Sequence, residues 1–358
     1  MLLLTRRDVE AVLDIPACAA AMVDALSGLA RGALQQPPRS QFIPHGAPAR
    51  MGLMPAYRSQ GRPVFGLKSV LVNAGNAARG LDTHQGVVLL HDGEDGRVLA
   101  VIDATAITEI RTAAVSAVAT RTLARPDSAI VAILGTGTQA RAHVHAMRHV
   151  FPRAEIRIWG RDRPRAEALA EGLRACSTII ASDRGVEQAL SLCFKRQLCR
   201  RADAVICQRC LSVRACLSIA DATDGADVIC TVTSARTPLL NATLIKPGAH
   251  INAVGASALE AREIASDLVA RASRFVDSRA QAALECGEFH LAVADGALPA
   301  NHAVTQLGDV LLGNAVGRQT DAEITLFKSL GLAVEDLAAA DLAMREALRR
   351  GIGTVMDW

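Results

Sequence analysis

Aromatic residues are scarce in this chain, at 3% of 358 residues with a single tyrosine. Half of the chain is nonetheless apolar, so its core must be built from alanine, valine and leucine, and intrinsic disorder is excluded. An excess of one charge is also lacking. The net charge is only +3 and the basic residues are dispersed, which argues against a nucleic-acid binder. No apolar run reaches the roughly 18 residues that a membrane-spanning helix needs. The N-terminal "MLLLTRRDVEAVLDIP" turns charged at Arg6, too early for a signal peptide. The expectation is a cytoplasmic protein with no membrane and no nucleic-acid partner, its nine cysteines present as reduced thiols.

The length permits two domains, since single cores stop growing near about 250–300 residues. Residues 5–33 show helical spacing, with Thr5 as N-cap and Asp8 three residues on. "QQPPRSQFIP" is extended because of its prolines. "VFGLKSVLVN", "GVVLLHD" and "RVLAVID" read as strands, the last two joined by the turn "DGEDG" as an antiparallel hairpin. Residues 105–124 read as a long alanine-rich helix. From Ser128 the pattern changes: "SAIVAIL", "EIRIWG", "ADVICTV", "AHINAVG" and "RFVDS" are short apolar strands mostly separated by helices, as in a parallel sheet covered on both faces. Past about residue 315 the reading has no further strands, and "LFKSLGLAVEDLAAADLAMREALRRG" reads as one or two helices. The fold class expected is α/β. A doubly wound, Rossmann-type domain spans residues 126–314, and a mixed α/β domain spans residues 1–125, completed by C-terminal helices at 315–358.

The stretch Gly135-Thr136-Gly137-Thr138-Gln139-Ala140 follows a strand and opens a helix. It has the G-x-G-x-x-A form of a dinucleotide turn. Gly135 permits the tight turn, Gly137 lets backbone approach a pyrophosphate, and Ala140 lets helix and strand pack closely. The free N–H groups of the helix start attract the phosphates. The next strand ends in "IRIWGRDRPR", with Gly160 and then Arg161 where an NAD site usually carries an acid. A guanidinium there, with Arg163 close behind, suits a 2′-phosphate, so NADPH is favoured, while Asp162 keeps NADH open. Thr231 and Val254, in later strands, complete the cofactor-binding candidates together with Thr112.

The motifs "MPAY" (54–57), "IRTAAVSAVAT" (110–120), "ILGTGTQA" (133–140), "KPGAHINAVGAS" (246–257) and "ITLFKSLGLAVEDL" (324–337) resemble the ornithine cyclodeaminase/μ-crystallin family, in order along almost the whole chain. The resemblance implies a Rossmann domain plus a mixed domain that builds the substrate pocket and a homodimer interface. It also implies imine or amino-acid chemistry beside a nicotinamide. Arg39 and Arg111 match the family's carboxylate-binding arginines, which suits a guanidinium fork, and Lys68 matches its active-site lysine. Met54 and Ser257 join Arg39 and Arg111 as substrate-binding candidates, and His84 is either a residue near the nicotinamide or a hydrogen-bonded structural histidine. For Lys68 the alternative is a strand-edge lysine that deters aggregation, and for Arg111 an exposed helix arginine.

Departures from the family pattern discriminate among its activities. Ornithine cyclodeaminases carry an acid two positions before the "MP" methionine, and here Gly52 stands there; they carry an Asp where this chain has Ser257. Deamination needs carboxylates for the extra amine and for water. Their loss resembles the μ-crystallin-like ketimine reductases, which reduce Δ1-pyrroline-2-carboxylate and Δ1-piperideine-2-carboxylate. The competing readings are an ornithine cyclodeaminase or alanine dehydrogenase relative, and a non-catalytic NADPH-binding protein.

One segment falls outside the pattern. An insertion at about 178–212 belongs to a stretch with five cysteines at residues 193–216, among them the pair Cys207 and Cys210, with Cys199 and Cys216 as outer partners for a zinc site. The outer spacings are irregular, so no metal is expected and the segment reads as a surface excursion of the Rossmann domain.

Overall fold

The structure is a computed structural model that describes residues 1–180 and 212–357, so the cysteine-rich insertion lies outside the described residues. The chain divides into two compact units. The first comprises residues 1–115, 311–314 and 331–358, and the second residues 116–310 and 315–330.

The first unit is built on a mixed sheet. Its strands are β1 (Leu2–Leu4), β2 (Leu34–Gln35), β3 (Ser40–Phe42), β4 (Arg50–Arg58), β5 (Val64–Val72), β6 (His84–Asp92) and β7 (Val98–Asp103). β16 (Thr354–Val355) joins at one edge, giving the order β16-β1-β7-β6-β5-β4-β2, with β3 also on β4. The expected hairpin is present as the antiparallel pair β6–β7. The N-terminal helical stretch is two helices, α1 (Arg6–Val12) and α2 (Ile15–Ala30). Thr5 and Asp8 form a reciprocal capping box on α1, and Asp14 caps α2 by accepting from Ala17 N at 2.8 Å. Pro16, with no N–H to give, sits in the first turn of α2, where none is needed.

α3 (Ala104–Leu123) follows the sheet, and the boundary between the units falls within it. The C-terminal helix Ala333–Arg350 packs against α2, β4, β5 and β6. Its buried residues include Ala339, Ala340, Ala343 and Ala347, small enough for close approach to the sheet. On β5 the alternation is clear: Val64, Lys68 and Val70 are buried towards that helix, while Phe65 and Leu71 on the opposite face are 49% and 47% exposed.

The second unit carries β8 (Ile130–Leu134), β9 (Glu155–Trp159), β10 (Val213–Ala215), β11 (Val228–Thr231), β12 (His250–Ala253), β13 (Ser273–Val276), β14 (Thr305–Gln306) and β15 (Thr325–Lys328). All pair in parallel, in the order β10-β9-β8-β11-β12-β15-β13-β14. The order reverses between β8 and β11, the topological switch point where open α/β sheets bind ligands. The helices are α4 (Thr138–Val150), α5 (Arg163–Ile180) and the short α6 (Ile219–Thr223), α7 (Ser266–Arg271), α8 (Arg279–Glu285), α9 (Gly287–Ala294) and α10 (Leu307–Leu311); Ala333–Arg350 is α11. The core joins Ala132, Leu134, Ile229, Ile251, Val276 and Leu326 from the strands.

β15 corrects the sequence reading, which ended the strands near residue 315. "TLFK" is buried on both faces between β12 and β13, so it lacks the alternation that marks a half-exposed strand. Residues 315–330 accordingly belong with the parallel sheet, whereas the sequence reading assigned 315–358 to the first domain. Among the described residues, no single helix is long and apolar enough to cross a membrane.

Candidate functional site

Lys68 occupies the middle of β5, paired in register with Met54 of β4 and Val88 of β6. It is therefore no edge lysine. Gly66, two residues earlier on the same face, brings α11 close: a Cβ there would lie 2.8 Å from Leu337 Cδ1. That approach places the first turn of α11 over Lys68. The Lys68 Nζ, 4% exposed, donates to Asp336 Oδ1 at 3.2 Å.

Arg111 lies two turns into α3 and is buried, not exposed. Its Nε donates to the same Asp336 Oδ1 at 2.9 Å, and its Nη1 donates to Glu335 Oε2 at 2.8 Å. Glu335 also accepts from Leu332 N at 3.1 Å, so one side chain caps α11 and pairs with the arginine. Gly331 joins a second guanidinium to the group. Its carbonyl accepts from Arg39 Nη2 at 2.9 Å. Its φ is +78°, and a Cβ would come within 2.8 Å of both Arg111 Nη1 and Nη2. The guanidinium thus rests on a backbone position that only glycine fits.

Three cations and two carboxylates meet here, an arrangement suited to one further carboxylate and a transferable proton. Burial lowers Lys68 to about 8; the Asp336 charge opposes that shift and the Arg111 charge adds to it. A lysine so placed is a proton donor near neutral pH, which an ordinary lysine is not. Met54 is buried beside Lys68 in the register. His84 sits at the exposed start of β6, its Nδ1 3.0 Å from the Thr83 hydroxyl; partial desolvation and then the Lys68 charge hold the imidazole below its usual value. Thr112 is buried and its hydroxyl donates to the Thr108 carbonyl at 2.6 Å, a bond within α3.

In the second unit the glycine turn has the form the sequence suggested. Gly135 has φ +139°, and a Cβ would fall 2.7 Å from the Val232 carbonyl oxygen. Gly137 is the N-cap of α4 with no side-chain cap, and nothing lies within 4 Å of where its Cβ would be. Thr138 is exposed and Gln139 half-buried, whereas Ala140 is fully buried against the sheet. Uncapped N–H groups at an open helix start, at the switch point, fit a dinucleotide pyrophosphate. Gly160 is held small by Thr136, whose Cγ2 lies 2.4 Å from a Cβ built there. Arg161 is exposed and makes no ion pair among the described residues. Arg163 instead pairs with Glu167 at 2.7 Å, and Asp162 accepts from Arg165 N at 3.2 Å as the cap of α5. Val254 is half-buried, Ser257 is exposed, and the Thr231 hydroxyl is committed to Glu263 Oε2 at 2.7 Å. Cys216 is buried in the apolar core, with its thiol pushed up to about 11 by burial, and Cys199, Cys207 and Cys210 lie outside the described residues.

Sequence reasoning missed Glu335 and Asp336, although "LAVEDL" was one of the motifs. Two acids in the first turn of a helix are ordinarily a response to its dipole. The signal was Gly331 just ahead of them, with Gly66 in a strand interior. Glu263 was missed too: it accepts from Thr231, from Thr233 N and Oγ1, and from Gly255 N, so it ties together the loops after β11 and β12.

The sequence pattern of the ornithine cyclodeaminase/mu-crystallin family matches residues 1–194 and 193–351. The ketimine reductase mu-crystallin of Mus musculus is 37% identical over 331 residues, spanning 92% of this chain and 90% of that protein. Among solved structures, Thermococcus litoralis Δ1-pyrroline-2-carboxylate reductase in complex with NADH and L-proline superposes with a TM-score of 0.85 at 29% identity, covering 99% of this chain and 100% of that one. An archaeal alanine dehydrogenase dimer with bound NAD gives 0.81 at 29% identity, covering 100% of this chain and 99% of that one. Similarity of this extent takes in both the buried lysine–arginine group and the glycine turn, and the chain belongs to the ornithine cyclodeaminase/mu-crystallin family.

Proposed function

We propose that this chain is an NADPH-dependent reductase of small cyclic ketimines that bear a carboxylate, converting Δ1-pyrroline-2-carboxylate and Δ1-piperideine-2-carboxylate to L-proline and L-pipecolate. The observation that carries this reading is the buried group in which Lys68 and Arg111 share Asp336, with Arg39 at Gly331. Arg39 and Arg111 supply guanidinium groups for the substrate carboxylate, and Met54 is a further contact beside Lys68. Lys68 supplies a proton to the imine nitrogen. The turn from Gly135 through Thr136, Gly137, Thr138 and Gln139 to Ala140, with Val254, holds the dinucleotide. When bound, its nicotinamide supplies the hydride that the imine carbon accepts. A ketimine reductase and a pyrroline-2-carboxylate reductase among the relatives support the same chemistry. Gly52 and Ser257, in place of carboxylates, argue against cyclodeamination.

The test is NADPH oxidation with each cyclic imine, beside pyruvate plus ammonia, and ornithine with NAD. Turnover of ornithine with both cyclic imines untouched would overturn the proposal.

NADPH is the proposed reductant because Gly160, crowded by the Thr136 side chain, stands where an NAD site usually carries an acid, and Arg161 stands next to it. Wild-type protein is expected to bind NADPH at least several-fold more tightly than NADH in a nucleotide-fluorescence titration. Arg161→Asp should shrink that preference by about 1–3 kcal/mol, the range for a charge-assisted bond. Equal affinities in the wild-type protein would refute the assignment.

The mixed domain is also proposed to be the homodimer interface. Phe65 and Leu71 belong to a sheet face whose other members, such as Leu53, Leu67 and Leu89, are only half-buried. A dimer is expected by light scattering at micromolar concentration, and Leu67→Glu with Leu89→Asp should give monomers. A monomeric wild-type protein would contradict this.

A further inference from the structure

We propose that Asp336 is a positioning residue for the reduction: the one oxygen it shares between Lys68 and Arg111 keeps the Lys68 ammonium charged and aimed as the donor to the imine nitrogen. The inference rests on the ketimine reductase reading and adds a residue that the sequence did not single out.

The geometry is unusual for an ion pair that serves only to hold a fold. Asp336 Oδ1 accepts from two cations on different elements, Lys68 on β5 and Arg111 on α3. Its Oδ2 is buried and has no hydrogen-bond partner among the described residues. A structural carboxylate ordinarily satisfies both oxygens, because leaving one unmade when buried is costly. Replacing the group by apolar residues of equal size would often stabilise a protein, so a buried pair of this kind points to a task. Arg111 is also tied to Glu335, which fixes its guanidinium independently. The remaining work of Asp336 is therefore on Lys68.

Lys68 is surrounded as follows. Asp336 reaches it from α11, Arg111 from α3, Arg39 from the segment before β3, and His84 from β6, while Glu335 on α11 pairs with Arg111. Two arginines close to an ammonium favour its loss of a proton, and Asp336 is the carboxylate in direct contact that opposes them. In the reaction the imine carbon accepts a hydride from the reduced nicotinamide. The π pair of the C=N bond moves to nitrogen, which takes a proton from Lys68 Nζ. The products are the cyclic amino acid, the oxidised nicotinamide and neutral Lys68, which regains its proton from solvent. Asp336 stays a carboxylate throughout.

The chain has four lysines, so the Lys68 side chain can be followed by NMR of lysine-labelled protein and identified by its disappearance in Lys68→Arg. The titration midpoint of Lys68 is read without substrate in wild-type, Asp336→Asn and Glu335→Gln proteins. Loss of the contacting charge should move the midpoint down by about 1–3 pH units in Asp336→Asn, and less in Glu335→Gln. The alkaline limb of kcat/KM should move by the same amount, with kcat reduced and KM for NADPH unchanged. A shift in Asp336→Asn no larger than in Glu335→Gln overturns the proposal. Should Asp336→Asn fail to fold, Asp336→Glu serves: it retains the charge but displaces the oxygen, so it should keep the midpoint and lose kcat, and full activity would overturn the proposal. The NMR titration needs no turnover, so failure of the positioning role is distinguishable from failure of the ketimine reading.

Discussion

Glu288→Ala should destabilise the second unit by about 3–5 kcal/mol, as expected when one partner of a buried ion pair is removed. Lys328, the last residue of β15, is completely buried, and its Nζ lies 3.2 Å from Glu288 Oε2 on α9. Burial acts most strongly and lowers the lysine, but the charge and hydrogen bond of Glu288, with the nearby Cys286 and Glu263, together outweigh it, and the group is held above its ordinary value. Lys328 also donates to the Ala256 carbonyl, and Glu288 Oε1 accepts from Glu263 N at 3.3 Å. Without Glu288, a cation with no solvent must either stay uncompensated or lose its proton. Urea unfolding followed by Trp159, within the same unit, would read the loss. Glu288→Leu combined with Lys328→Met should recover most of it, leaving chiefly the unpaired Glu263 N–H. A single variant as stable as wild type would show that Lys328 is compensated elsewhere.

That buried pair marks where the sequence could be read and where it could not. In the parallel sheet β8, β9, β11, β12 and β13 were legible because each is a short apolar run mostly set off by helical spacing, whereas the short β10 and β14 were not read. The turn at Gly135 was legible because two glycines and an alanine answer local steric demands at fixed offsets. β15 was missed because a strand buried on both faces has no alternation, and its terminal Lys328 looks like a solvated charge until Glu288, 40 residues away, is placed beside it. The candidate site divides along the same line. Lys68, Arg111 and Arg39 were found through resemblance to a family. Their carboxylate partners were not, because Glu335 and Asp336 are explained locally as helix-start acids. Only the approach of α11 at Gly66 and the left-handed turn at Gly331 bring them to the cations. Contacts between residues 225 or more positions apart, such as that of Arg111 with Asp336, leave no local pattern to read.

Lys68→Ala should lower kcat for cyclic ketimine reduction by about 10²–10⁴, the usual worth of a positioned general acid, while KM for NADPH stays near normal. The fold should survive, because Asp336 keeps Arg111 and Arg111 keeps Glu335. The pH dependence follows from the lowered value of about 8. A donor must carry its proton, so kcat/KM in the wild-type protein should be level below that pH and fall as pH rises through it. The alanine variant should lose this limb altogether. Lys68→Arg separates two ways of failing. Arginine retains the positive charge but does not release a proton in this range, so it should restore binding of the imino acid and leave kcat low. A Lys68→Arg protein with near wild-type kcat would mean that the charge alone matters. The proton would then come from solvent, and the role given to Lys68 would have to be withdrawn.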